Sequence, residues 1–254
     1  QYALSLHDAL PISLSGALSL QRRLDTVTNN LANATTTGFK ADRVDFAGVL
    51  SQAQAQRPAD PPDDALTFPV LEGTETDHAQ GTLKETGRRL DFAIDGRGFF
   101  RVRAEDGGIA YTRDGQFQLG PDGNLTDSEG RAVLDAQGEP LALASGDITL
   151  NRAGEVFVPG REGPVGRIGV FRPEDPGQLR KQGDNLYRGP EATMAEAEGS
   201  VIRSGFLERS NVNTMREMVN MMDLQRSYES MTKAMRTIDQ TFSDSGEQLA
   251  STGR

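Results

Sequence analysis

Histidine is the side chain most often placed where protons move near neutral pH, and this chain has only two, His7 and His78, with no cysteine. A His-based triad or a histidine zinc site therefore has almost no material to be built from, and neither a disulfide nor a thiolate metal site is possible. The run DGNLTDSEGRAV puts Asp122, Asn124 and Thr126 at alternate positions, as a calcium loop does. Its sixth residue is Asp127 where a glycine is needed, and its twelfth is Val133 where a bidentate glutamate is needed, so it reads as a hairpin turn. DGRGFF, Asp95 to Phe100, lacks the Lys-Ser/Thr and the following helix of a phosphate loop and reads as a turn entering a strand. The Asn-x-Thr triplets at Asn33 and Asn124 come with no sign of a glycosylating compartment. Paired carboxylates, the raw material of acid–base hydrolysis, read as solvated surface in so acidic a chain. No catalytic residue, cofactor or metal is expected.

The elements that carry these residues point to assembly instead. Ala17, Leu20, Leu24, Val27 and Leu31 are spaced by threes and fours and form one helical stripe. Near the other end Met221, Leu224, Tyr228, Met231, Met235, Ile238 and Phe242 keep the same rhythm, which is the heptad of a coiled coil. Thr214 with Glu217 reads as a capping box, with Asn213 as a rival N-cap, and a helix from Thr214 to Phe242 would be roughly 43 Å long. At 100° per residue, Met215, Met218, Val219 and Met222 point away from that seam, and six of the seven methionines lie in this helix. Either the N-terminal helix and a β domain cover the two sides, or neighbouring copies in a polymer cover the second; methionine suits such adaptable contacts.

Between the helices the period changes from helical to two. Strands are expected near Phe99 to Arg103, Ile109 to Arg113, Gln116 to Leu119, Ile148 to Leu150, Glu155 to Val158 and Gly166 to Phe171, joined as successive hairpins. Turns are expected at Asp114-Gly115 and Asp122-Gly123, and RPEDPGQLRKQGDNLYRG reads as a closing loop. The fold class is thus mainly β with α: terminal helices paired as an α-helical coiled coil, plus an all-β domain of short hairpin strands. Residues 14–46 and 204–246 form the helical domain, 47–81 a linker or extended arm, 82–200 the β-rich domain and 247–254 a flexible tail. Residues 1–13, QYALSLHDALPIS, resemble translated sequencing-library adapter and read as a non-native leader without the signature of a cleavable signal peptide.

Composition agrees with an elongated assembly part. Hydrophobic residues make up 36% of the chain and aromatics 6% with no tryptophan, a modest supply for one deep core. A net charge of −10 disfavours nucleic acid and anionic membrane surfaces, which need a basic patch. No run of eighteen apolar residues is present, so no membrane insertion by a helix is expected.

The helix ending at NNLANATTTGFK crowds amides and hydroxyls into one place. On the helical wheel Asn29 and Asn33 face away from the leucine seam and Asn30 lies at its flank. One reading is a helix end satisfying its own carbonyls and turning through Gly38. The other is a directional contact between subunits, with a bend at Gly38 and Phe39.

Three segments, NNLANATTTGFKADRVDF, LDFAIDGRGFFRV with YTRDGQFQLGPDGNL, and GFLERSNVNTMREMVNMMDLQRSYESMTKAMRTIDQ, closely resemble the flagellar basal-body rod and hook family, in order and over nearly all the chain from about Leu14. The length, the ending at Thr237 to Gln240 and the lack of a large hook-type insertion are most similar to proximal-rod members, with distal-rod members second. The resemblance implies an inner coiled-coil domain and an outer β domain, passage through the flagellar type III export apparatus without a cleaved signal, and polymerisation in the periplasmic rod of the bacterial flagellum. Its partners would be other rod subunits and further copies of itself in a helical assembly, through heterologous contacts that do not close. The expected helix-pairing and assembly residues are Leu20, Leu24, Val27, Asn30, Leu31, Asn33, Gly38, Phe39, Met215, Met218, Met222, Leu224, Tyr228, Met231, Met235 and Ile238. Two rivals differ in class: a secreted or surface β-domain binding protein oligomerised by its helices, and a hydrolase with a deep acidic cleft.

Overall fold

The structure is a computed structural model that describes residues 6–44, 74–143, 146–197 and 199–252, with backbone alone at 6–15, 238–239 and 241–252. Among the described residues the chain is mainly β with two long helices, and it divides into two compact units. The first draws on Gln1–Ala32, Asp42–Glu75 and Asn213–Arg254, the second on Asn33–Ala41 and Thr76–Val212.

In the first unit, helix α1 (Leu6–Ala32) packs against helix α2 (Thr214–Thr252) and against strand β1 (Asp42–Val44). β1 pairs with β2 (Thr74–Thr76), whose last residue enters the second unit. Asn213 is the N-cap of α2: its side-chain oxygen accepts from Arg216 N at 3.0 Å and its carbonyl from Glu217 N, which is the rival cap rather than the Thr214 box. At 39 residues α2 is about 58 Å long and runs on to Thr252, so helix occupies 247–252 where a tail is expected from sequence. No helix among the described residues is long and apolar enough to cross a membrane.

The second unit is a set of short antiparallel strands in chain order: β3 (Leu83–Glu85), β4 (Phe92–Asp95), β5 (Phe100–Arg103), β6 (Ile109–Thr112), β7 (Gln118–Leu119), β8 (Leu125–Thr126), β9 (Thr149–Leu150), β10 (Glu155–Phe157), β11 (Gly166–Arg167), β12 (Phe171–Pro173), β13 (Arg180–Gly183), β14 (Leu186–Arg188), β15 (Met194–Glu196), β16 (Val201–Ser204) and β17 (Phe206–Glu208). β5 alternates as a half-buried strand must, with Phe100 and Val102 inward and the two arginines outward. The main core gathers Phe92, Ile94, Phe100, Val102, Phe117 and Leu125 with later residues such as Val156 and Ile202.

The strands do not follow one another as simple hairpins. β4 pairs with β16 (Phe92 opposite Ser204) and β3 with β17, so the two ends of the unit close on each other. The expected closing loop at 172–189 instead holds the β13–β14 hairpin, which joins β6 and β5 in a four-stranded sheet. Asp122-Gly123 does turn β7 into β8. Asp114-Gly115 joins no hairpin; Gly115 passes so close to β4 that a Cβ there would come 1.7 Å from the Phe92 carbonyl oxygen, and Phe92 N donates to Gly115 O at 2.9 Å.

Candidate functional site

The candidate site lies on the helix pair, where exposure separates two faces. Val27 is buried, and Leu20, Leu24 and Leu31 on α1 and Met221, Leu224, Met231 and Met235 on α2 are half-buried. The Met231 terminal methyl lies against Gly16, where a Cβ would approach to 2.8 Å. Tyr228, expected within the seam, is 39% exposed, and the Ile238 side chain lies outside the described residues. On the other face Met215, Met218, Val219 and Met222 are exposed at 74%, 42%, 48% and 49%. These are large apolar side chains in water, grouped within the first turns of a helix.

The asparagine and threonine cluster behaves differently along its length. Asn30, 2% exposed, pairs both amide atoms with one backbone residue: its Nδ2 donates to Asp42 O at 2.8 Å and its Oδ1 accepts from Asp42 N at 2.9 Å, which aligns β1 on α1. The Thr26 and Thr28 hydroxyls donate to the carbonyls of Arg22 and Leu24 one turn back. In the second unit Asn33 Oδ1 accepts from Thr36 Oγ1 at 3.2 Å, and the Asn33 carbonyl from Thr36 N.

Residues 37–41 then lie in a clasp inside the β unit. Gly38 takes φ 68°, and a Cβ would stand 2.4 Å from the Arg113 carbonyl carbon, so both conformation and space require glycine. Its N–H donates to Glu208 O at 2.8 Å. Phe39 is buried, with Lys181 Nζ 4.2 Å above its ring. Asn185 in the turn of the β13–β14 hairpin donates to the Thr37 carbonyl, and Lys181 on β13 to that of Lys40. Lys40 is wholly buried, and its Nζ donates to Glu208 Oε1 at 2.5 Å and to Ala79 O at 2.7 Å. Glu208 also accepts from Arg113 Nη1 at 2.8 Å and from Gly81 N at 2.7 Å. Burial lowers the Lys40 pKa, with repulsion from Arg113 adding to it, despite the pull of Glu208; burial also lowers that of Arg113.

Sequence reading missed Lys40, Arg113 and Glu208 as a group. Each ends a short run, GFK, YTR and FLE, that closes on a charge after residues that pack well, but no local pattern names the partner. Paired carboxylates read as solvated surface in the sequence, but Glu208, Asp91 and Asp127 are buried, Glu208 and Asp127 against basic partners. Asp127 accepts from Arg131 Nε and Arg131 N within its own turn, at 2.6 Å and 2.8 Å, which agrees with a hairpin turn rather than a calcium loop. Of the stretch expected as a linker, residues 74–81 are described and pack on the β unit: Gln80 bonds Ile94 O and Gly96 N, and His78 packs on Phe99 and Tyr187. Residues 45–73 lie outside the described residues. A hollow of about 480 Å³ is lined by Arg88, Arg89, Leu90, Gly146 and Asp147, and the Asp147 carboxylate is ion-paired with Arg89.

Comparison with known proteins adds relatives to this geometry. Residues 10–40 match the family described as flagella basal body rod protein, residues 93–159 the flagellar hook protein FlgE/F/G D1 domain, and residues 203–249 the flagellar basal body rod FlgEFG protein C-terminal. The chain is 39% identical over 241 residues to the flagellar basal-body rod protein FlgF of Caulobacter vibrioides, covering 91% of this chain and 93% of the relative. It is 34% identical over 251 residues to FlgG of Buchnera aphidicola subsp. Acyrthosiphon pisum, covering 91% and 96%. With FlgF of Mesorhizobium japonicum it shares 33% over 252 residues, covering 98% and 99%.

Proposed function

This chain belongs to the flagellar basal-body rod protein family and is a structural subunit of that rod, and from this premise we propose that it is a proximal-rod subunit held in the shaft through its terminal helices. The observation that carries the proposal is the two-faced α2: a half-buried seam turned to α1 and, opposite it, Met215, Met218, Val219 and Met222 in solvent. In the rod that second face packs on neighbouring copies or other rod subunits, where removal from water contributes about 25 cal/mol per Å² of apolar area. α1 and α2 form a coiled coil as the inner domain, and the β unit is the outer domain. A helical polymer needs unlike faces that meet without closing into a ring, and these two faces of one helix are unlike.

The subunit leaves the cell interior through the flagellar type III export apparatus and assembles in the periplasm, where the rod carries motor torque to the hook and filament. It performs no catalysis in this role. The proximal assignment is supported by the 39% identity to FlgF. Its test is genetic complementation: the chain is expected to restore swimming to a strain lacking its FlgF and not to one lacking FlgG. The reverse pattern makes it a distal-rod subunit.

A further inference from the structure

His78 is a titratable group at the centre of the clasp, and the rod role makes no use of it. Its ring meets Phe99 and Tyr187 edge-on, with centroids 5.6 Å and 5.8 Å away. Its Nδ1 is buried with no hydrogen-bond partner among the described residues. Three cations face it from separate parts of the β unit: Lys40 before β1, Arg113 after β6 and Lys181 on β13. Asp77 is the acid beside it, while the Glu208 carboxylate already holds Lys40, Arg113 and Gly81 N.

The peptide that bears His78 is also what ties the clasp together. Asn211 Nδ2 donates to the carbonyls on both sides of it, Asp77 O at 2.8 Å and Ala79 O at 3.1 Å. Lys40 Nζ donates to Ala79 O, and Asp77 N donates to Ala41 O at 2.8 Å. A proton on His78 would add a fourth cation to this cluster. We propose that His78 is an acid trigger in the fold: on taking up a proton it drives the 77–79 strap off the β unit and opens the clasp that holds residues 37–41 and Asn211. Those residues follow α1 and precede α2 in the chain, and all of them lie in the β unit, so acid loosens this edge of the unit while leaving its main core in place.

Burial first, then Lys40, Lys181 and Arg113, lower the His78 pKa below 6.5. An unfolded or opened chain takes the proton as pH falls through about 6.5, whereas the closed clasp resists it. Closure is therefore fully favoured above that pH and loses stability as the pH drops below it, down to the lowered folded value. Asp114, whose pKa is raised to about 6, works in the opposite sense, so the effect is read from His78 itself and from a variant, not from the parent's overall pH curve.

The test uses the full chain. NMR of the two imidazoles, assigned with His7→Gln, is expected to show His78 titrating below 6.5. Hydrogen exchange of the Gly38, Asp77 and Asn211 amides, corrected for intrinsic rates, is expected to lose at least about tenfold protection between pH 7.5 and pH 5 in the parent. His78→Gln, which cannot titrate, is expected to keep that protection. A folded-state His78 that titrates at 6.5 or above overturns the proposal, as does an equal acid loss in His78→Gln. Should that variant fail to fold, the parent's titration and exchange decide: acid loss of protection confined to the clasp supports the trigger, and unchanged protection overturns it.

Discussion

At the residue scale, the stability of the β unit turns on single charges in a dry place. Glu208 holds Lys40 and Arg113 at once, and neutralising it would leave two buried cations facing each other. Glu208→Gln is expected to cost about 3–5 kcal/mol of unfolding free energy, read from urea denaturation near neutral pH; a loss under about 1 kcal/mol would show that the cluster is not a linchpin. Asp114 is the contrary case. Burial first, with the charges of Glu129, Asp127 and Asp91 added and the Gln116 N–H opposing, raises its pKa to about 6. A carboxyl raised above its unfolded value of about 3.9 contributes stability below that pH and loses it as pH rises towards 6. Asp114→Asn is expected to raise stability at pH 7 by on the order of 2 kcal/mol and to leave it nearly unchanged at pH 4, by urea midpoints at both. Neither residue was legible in the sequence as a buried charge. Burial of a charge depends on partners far along the chain, and composition alone reads an acidic residue as solvated.

At the element scale, legibility follows the distance over which a pattern acts. The helical period of α2, the alternation of β5 and the Asp122-Gly123 turn between β7 and β8 are local, and a short window of sequence carries them. The pairings of β4 with β16 and β3 with β17 join opposite ends of the unit, and nothing in a short window predicts them. Asn30 makes the same point within the helical unit. The helical wheel puts it at the flank of the leucine seam, but its buried partner is the Asp42 backbone, twelve residues on, which only the fold reveals. The helix pair gives the cleanest prediction at this scale. Leu24→Asp puts a charge into the half-buried face of α1 and is expected to lower helical circular dichroism while leaving the near-ultraviolet signal of the β unit intact. The variant is expected to be absent from isolated basal bodies. Normal incorporation would mean that the α1–α2 seam is not needed for assembly.

At the scale of the whole molecule, the chain divides its labour between a β unit closed by buried polar groups and a helical unit with apolar surface left in water. The β unit closes on itself: its ends pair, and residues 37–41 are locked within it. The helical unit does not, because Met215, Met218, Val219 and Met222 remain exposed. This asymmetry is what a subunit of a polymer requires, and it makes the exposed face of α2 the centre of the account. The most direct test replaces Met218 and Met222 together with aspartate, in a strain whose only copy of the gene is the variant. The purified variant is expected to keep the parent's helical and β signals and its monomeric state when dilute, yet to form no rod and support no swimming. Wild-type swimming by Met218→Asp/Met222→Asp cells would contradict the account.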